Sequence, residues 1–158
     1  MNNVPLEIIV PVFNEGEKVL KLMQSFDLNV KTNFRVLFCY DSDTDNLFDY
    51  KNEFSKFKFE IIFVKNPHKG PLSAIKEGFK NGNSDCVIVY PADDFLNFNI
   101  LDKMYQDFLE GNQIVVASRF IKGGSMNNCP LLKSILVRMA SYSLYYLSSI
   151  PVKDASNG

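Results

Sequence analysis

Five short apolar runs, residues 6–12, 34–40, 59–64, 86–90 and 113–117, recur between stretches whose apolar residues fall at helical spacing. They are rich in β-branched and aromatic residues, and most are apolar at nearly every position rather than alternating. That pattern belongs to strands covered on both faces, as in a parallel sheet. Parallel neighbours need crossovers, and the intervening stretches supply them. Residues 15–26 place Val19, Leu20, Leu22, Met23 and Phe26 on one helical face, with Lys18, Lys21 and Gln24 left for solvent. Residues 71–79 begin with Pro71 at a first helical position, put Leu72, Ile75 and Phe79 on one face, and end at Asn81-Gly82-Asn83. Residues 100–109 group Leu101, Met104, Tyr105, Phe108 and Leu109 before a stop at Gly111-Asn112, and residues 131–147 form the longest helix. The segment after Asp45 fits helix and loop equally well. The resulting order, β-α-β-(α)-β-α-β-α-β-α, implies right-handed crossovers and a mainly parallel α/β sheet with helices on both faces.

The 158 residues, 46 % hydrophobic and 22 % charged, suit one compact domain, residues 1–158, with a core that needs no disulfide or structural metal. Seventeen Lys and Arg against eighteen Asp and Glu leave a formal charge of -1, so no net field recruits nucleic acid. The three cysteines form no Cys-x-x-Cys pair and have only His68 to join them, which fits a reducing cytoplasm and argues against a zinc site. No signal peptide opens the chain, and no run of about 18 apolar residues would span a membrane.

Ligands of open parallel sheets bind beyond the carboxyl ends of the strands, and polar residues collect at those positions here. Pro11-Val12-Phe13-Asn14-Glu15 follows the first run, where Asn14-Glu15 opens a helix either as an ordinary N-cap or as an anion- or nucleoside-binding turn. Asp41, Asp43 and Asp45 follow the second, either as a solvated turn or with Asp41 on a ribose or base. Asn66-Pro67-His68-Lys69-Gly70-Pro71 follows the third, a constrained loop whose basic residues suit a diphosphate. His68, lacking a second histidine or a cysteine beside it, reads as a surface or packing residue. Tyr90-Pro91-Ala92-Asp93-Asp94-Phe95 follows the fourth: two carboxylates without His or Cys suit a hard ion such as Mg2+ or Mn2+, or else cap a helix. Arg119 and Lys122, ahead of Gly123-Gly124, follow the fifth and suit a phosphate clamp or a solvated basic turn.

The stretches IIVPVFNE (from Ile8), YDSDTDN (from Tyr40), NPHKGPLSAIKEGF (from Asn66), VIVYPADDF (from Val87), ASRFIKGGS (from Ala117) and PVKDASNG (from Pro151) jointly resemble the family 2 glycosyltransferases of GT-A fold. Within them they resemble the dolichyl-phosphate mannose synthase-like, polyprenyl-phosphate branch. The resemblance implies a Rossmann-like fold and an inverting transferase that takes a sugar from a UDP- or GDP-sugar donor. Pro11, Phe13, Asn14, Glu15 and Asp41 would hold the nucleoside, with Lys69, Gly70, Ala92 and Asp93 near the donor. Asp93 matches the last residue of the family's Asp-x-Asp metal motif, Asp94 is the candidate second ligand for Mg2+ or Mn2+, and Pro91 stands in place of the first Asp. Arg119, Lys122 and Lys133 would face an acceptor phosphate, with Val137 replacing a hydroxyl residue there, and Asp154 would act as base were the acceptor a saccharide hydroxyl. An already anionic lipid phosphate would need no base. Leu132, Leu136, Met139 and Leu147, beside Lys133 and Arg138, are expected in the core, with contact at the cytoplasmic face of a membrane as the other reading. A motif broken off at Gly158 implies a domain incomplete at its C-terminus. A non-catalytic nucleotide-sugar-binding module is the alternative. A nucleotidyltransferase is disfavoured, because residues 11–15 contain neither Gly nor Lys.

Overall fold

The computed structural model describes residues 4–124, 126, 129–148, 150 and 152–154. Ser125, Pro151 and residues 155–158, which complete two of the stretches quoted above, lie outside the described residues. The chain falls into two compact units, Met1–Gln106 and Asp107–Gly158.

The first unit is an α/β layer around four parallel strands, β1 (Leu6–Val12), β2 (Phe34–Tyr40), β3 (Glu60–Lys65) and β4 (Cys86–Val89), in the order β3-β2-β1-β4. Helix α1 (Glu17–Asn29) joins β1 to β2, a run of 3-10 turns (Asn46–Lys56) joins β2 to β3, and α2 (Pro71–Asn81) joins β3 to β4. Among the described residues only β1 and β2 are central, and both are buried almost throughout; β3 and β4 are the edges, and Glu60 and Lys65 at the ends of β3 are exposed. Successive strand residues face opposite sides, so Ile9, Leu37, Cys39 and Val64 meet Ala74 of α2 on one face. On the other face, the Phe26 ring of α1 packs edge-on against Phe34 and Tyr90 (centroids 6.1 and 5.1 Å apart), and Phe38 packs on Phe54 of the 3-10 run. Both faces of the sheet are therefore covered, as the apolar runs predict.

Three local expectations change. Helix α1 begins at Glu17 rather than residue 15, because Asn14 and Gly16 both adopt φ of 54°, which no helix can include. Helix α2 buries its small residues, Ala74 and Gly78, and leaves Leu72 and Phe79 exposed, because its axis lies too close to Ile9 and Cys39 for larger side chains. Residues 113–117 are not a fifth strand: they find no ladder partner among the described residues, and Ile114 is 63 % exposed.

The amino end of the sheet holds a charged core that the apolar pattern hides. Glu7 and Arg35, adjacent in register on β1 and β2, are buried on the face that carries α2. Arg35 Nε donates to Glu7 Oε1 at 2.7 Å, a second guanidinium nitrogen joins the same oxygen, and the Asn83 amide donates to both carboxylate oxygens at 2.9 and 3.0 Å.

A short 3-10 turn (Phe98–Ile100) leads into α3 (Leu101–Leu109), which Gly111 ends with φ of 98°. The second unit contains α4 (Leu131–Leu147). The expectation that its apolar residues are core fails: Leu132 is 70 % exposed, Leu136 56 %, Met139 63 % and Leu147 84 %, and Ser141 is the helix's buried residue. Arg138 and Phe120 form a cation–π pair at 4.8 Å, and the Phe120 ring stacks on Tyr142. Among the described residues no helix is long and apolar enough to cross a membrane.

Candidate functional site

Because all four strands run the same way, the loops after β1, β2, β3 and β4 share one edge of the sheet. Side-chain to backbone hydrogen bonds stitch the first three together. Asp45, only 4 % exposed, accepts the Asn14 amide on Oδ2 (2.9 Å) and the Leu47 amide on Oδ1 (2.9 Å). Asn46 Oδ1 accepts the Gly16 amide at 2.8 Å, while the Asn46 side chain donates to the Asn14 carbonyl at 3.3 Å. These bonds hold the two left-handed residues that turn β1 toward α1. They also correct the view of Asn14-Glu15 as a helix start with free amides: the helix N-cap is Gly16, and the Asn14 and Gly16 amides are already paired.

Asp41 links the second loop to the third. Its Oδ2 accepts the Gly70 amide at 2.9 Å and its Oδ1 accepts the Asn66 side-chain amide at 2.7 Å. Gly70 has φ of 101° and is the N-cap of α2, a conformation that explains the glycine before Pro71. Lys69 is exposed at the tip of this loop, beside a groove of about 310 Å³ that His68, Lys76 and Lys80 also line. A second groove of about 250 Å³, lined by Asp27, Phe34 and Phe59, contains none of the predicted residues.

At the first loop Phe13 is 66 % exposed, Pro11 is half-buried, and Glu15 accepts a hydrogen bond from Lys18 at 2.9 Å. That bond, with a smaller contribution from the charge of Asp93, raises the Lys18 ammonium above its ordinary pKa. After β4, Ala92 is buried, whereas Asp93 is exposed and makes no hydrogen bond among the described residues. Asp94 does different work. Its Oδ1 accepts the Leu96 and Asn97 amides at 2.9 and 3.1 Å, and its Oδ2 accepts the Asn97 side-chain amide at 2.7 Å. Asp94 thus closes the turn that presents Asp93. Beneath this turn the Tyr90 hydroxyl is buried with no hydrogen-bond partner among the described residues, and burial, aided by the charge of Asp94, pushes its pKa up.

Among the described residues no group of three or more His, Cys, Asp and Glu side chains could hold a metal ion. One exposed carboxylate fits the habit of Mg2+, which takes one or two protein carboxylates and completes its shell with phosphate and water.

In the second unit Arg119 and Asp154 are one device. The Arg119 amide and Nε donate to Asp154 Oδ2 at 2.8 and 3.1 Å, and a terminal guanidinium nitrogen donates to Oδ1 at 2.6 Å. The Asp154 side chain is fully buried while the Arg119 side chain is 24 % exposed, and this hydrogen-bonded carboxylate holds the guanidinium pKa above its usual value. Lys122 and Lys133 are exposed.

Sequence reasoning passed over four of the residues that build the first unit's edge: Asp45 as more than one of a cluster, Asn46, Asn66 and Ser73. The signal for Asn66 was its place at a strand end directly before a proline.

A parallel α/β sheet covered by helices, with its polar loops stitched along the carboxyl edge, belongs to the open α/β class whose ligands bind at that edge. Residues 7–154 match the family described as Glycosyl transferase family 2, and the chain belongs to that family. It is 26 % identical over 137 residues to the dolichol-phosphate mannosyltransferase of Pyrococcus furiosus, a match covering 85 % of this chain and 39 % of that protein. It is 34 % identical over 104 residues to a dolichyl N-acetyl-alpha-D-glucosaminyl phosphate 3-beta-D-2,3-diacetamido-2,3-dideoxy-beta-D-glucuronosyltransferase of Methanococcus voltae, covering 60 % of this chain and 32 % of the other. The chain therefore spans less than half the length of these relatives, the matches covering 39 % and 32 % of them. Among solved structures it is similar to a CMP:2-keto-3-deoxy-manno-octonic acid synthetase complexed with CTP. That match has a TM-score of 0.48 and 11 % identity, covering 66 % of this chain and 47 % of the other, and carries no argument about function.

Proposed function

We propose that this chain serves an inverting glycosyltransferase that takes a sugar from a UDP- or GDP-sugar donor, with a polyprenyl phosphate as acceptor. The observation that carries the donor half is the stitched edge: Asp45 and Asn46 fix the loop of Phe13 and Glu15, and Asp41 fixes the loop of Lys69, through bonds within the chain itself. Preorganised loops of this kind spare a ligand the cost of ordering them. In this reading Pro11, Phe13, Glu15 and Asp41 face the nucleoside, and Lys69 and Gly70 face the diphosphate. Asp93 holds a divalent ion, Mg2+ or Mn2+, from a turn that Asp94 closes. Bound there, such an ion would offset the negative charge that grows on the departing nucleoside diphosphate.

The environment of Asp154 supports the choice of acceptor. A carboxylate buried against Arg119, with both oxygens taken, is poorly placed to accept a proton from a sugar hydroxyl. That favours an acceptor already ionised, which needs positioning rather than deprotonation. Lys122, Lys133 and the exposed part of Arg119 are the cations assigned to it. The apolar face of α4, which has no acidic residue and carries Lys133 and Arg138, suits contact with an anionic lipid surface, where such acceptors reside.

Thermal-shift titration with UDP-sugars and GDP-sugars, with and without Mn2+, tests the reading. One nucleotide series should raise the melting temperature, and Asp93→Asn should abolish the added effect of Mn2+. A Mn2+ increment that survives Asp93→Asn refutes the metal assignment, and no shift with any nucleotide refutes the donor reading. Nucleotide binding without transfer to a polyprenyl phosphate would favour the non-catalytic module.

A further inference from the structure

We infer that Asn66 is a positioning residue that sets the phosphate-facing loop from behind, without touching the donor; the inference rests on the donor reading above. Asn66 is 2 % exposed and uses its whole amide. Its Nδ2 donates to Asp41 Oδ1 at 2.7 Å and to the Gly70 carbonyl at 3.3 Å. Its Oδ1 accepts the His68 amide at 3.1 Å and the Ser73 hydroxyl at 2.8 Å. Two donors and two acceptor positions are the full capacity of a carboxamide, so none remains for a ligand. The orientation of the amide follows from its partners, since the Asp41 carboxylate only accepts and the His68 amide only donates.

The consequence falls on Lys69. Residues 66 to 70 form a closed ring: the Asn66 backbone N–H is anchored on the Tyr40 carbonyl at 2.8 Å, the Asn66 side chain reaches across to Gly70, and Asp41 grips the Gly70 backbone N–H from outside. Pro67 stiffens one side of the ring and Gly70, at positive φ, closes the other. Lys69 sits between the two anchors, so its backbone position is set although its side chain is exposed. Ser73, one turn into α2, ties Asn66 to the helix that the ring leads into. Asn66 therefore contributes to diphosphate affinity by keeping Lys69 and the Gly70 amide region in place, and it reaches the nucleoside only through its single bond to Asp41, so its effect there is much the smaller.

That division is measurable. Calorimetric titration of the whole chain with UDP against uridine, and GDP against guanosine, gives the affinity increment due to the diphosphate. Asn66→Ala should weaken nucleoside diphosphate binding about tenfold and nucleoside binding less than twofold, and should speed hydrogen exchange at the Gly70 amide while β1 and β2 amides stay protected. Ser73→Ala, which removes one of the four bonds, should lose two- to threefold of the same increment and carries the test should Asn66→Ala fail to fold. A parallel loss of nucleoside and diphosphate affinity, or an unchanged increment, overturns the inference and leaves the donor reading standing. A wild-type chain with no diphosphate preference, and with Lys69→Ala equally silent, overturns the donor reading and the inference with it.

Discussion

Replacing Glu7 by Ala should be among the most damaging single changes in the first unit. Among the described residues the substitution leaves the Arg35 guanidinium, 3 % exposed, with only the Glu60 carboxylate nearby at 3.6 Å, and Glu60 is itself 59 % exposed. It also strips the Asn83 amide of both acceptors. Breaking a buried pair from one side costs about 3–5 kcal/mol, because the remaining charge is desolvated without compensation. Set against a total stability of roughly 5–15 kcal/mol for a domain, that is a large fraction. Equilibrium urea unfolding followed by circular dichroism would report it as a lowered midpoint with an unchanged slope. The double replacement Glu7→Leu with Arg35→Met removes both charges and should recover a substantial part of the loss, since an apolar pair of similar volume is often no worse than a buried salt bridge. Gly82→Ala attacks the same cluster by another route: its Cβ would overlap Glu7 Oε2, and the expected cost is about 1–3 kcal/mol of overpacking. The reasoning fails if Glu7→Ala costs less than about 1 kcal/mol, or if the Glu7 and Arg35 changes add without coupling.

Gly78→Ala should destabilise the chain although alanine is the better helix former: the new Cβ would lie 2.7 Å from Ile9 Cγ2 and 3.0 Å from Cys39 Sγ, and overpacking of about 1–3 kcal/mol exceeds a propensity gain of about 1 kcal/mol. Urea unfolding would show the sign. Burial, with a smaller contribution from Glu77, pushes the Cys39 thiol from 9.0 up to about 12, so the folded state favours the protonated thiol and its stability should fall as pH rises from about 9 toward 12. Cys39→Ala should flatten that alkaline slope, and iodoacetamide at pH 8 should label half-buried Cys129 while sparing Cys39. Co-sedimentation with vesicles containing anionic phospholipid should retain the chain and release it when Leu136 and Met139 of α4 are changed to Ser; equal retention of that variant refutes the proposed lipid contact.

What the sequence made legible was whatever depends on periodicity and strand order. The runs that became β1 and β2 are central because they are apolar on both faces, and α4 begins and ends where its spacing says. The run at residues 113–117 has the same composition and forms no strand, because a strand requires a neighbour to pair with and composition does not specify one. Glu7 and Arg35 escaped for a related reason: each looks like a lone polar residue within an apolar run until register sets them side by side.

The candidate site divides along the same line. Residues chosen for their charge at the ends of predicted strands, such as Asp93 and Lys69, are exposed at the sheet's carboxyl edge. The residues that hold those ends in shape are short amides and carboxylates whose partners lie 25 to 32 positions away, as with Asp41 and Asn66 or Asn14 and Asn46. No local pattern announces such a partner, since each polar side chain in a loop reads equally as solvated. Burial separates the two kinds: Asp45 and Asn66 are 4 % and 2 % exposed, whereas Asp93 and Lys69 face solvent. A carboxylate that is buried and has both oxygens taken is a builder of the site. One left exposed at the same edge without a partner is available to a ligand, and by that criterion Asp93, not Asp94, is the carboxylate on which the metal assignment should be tested first.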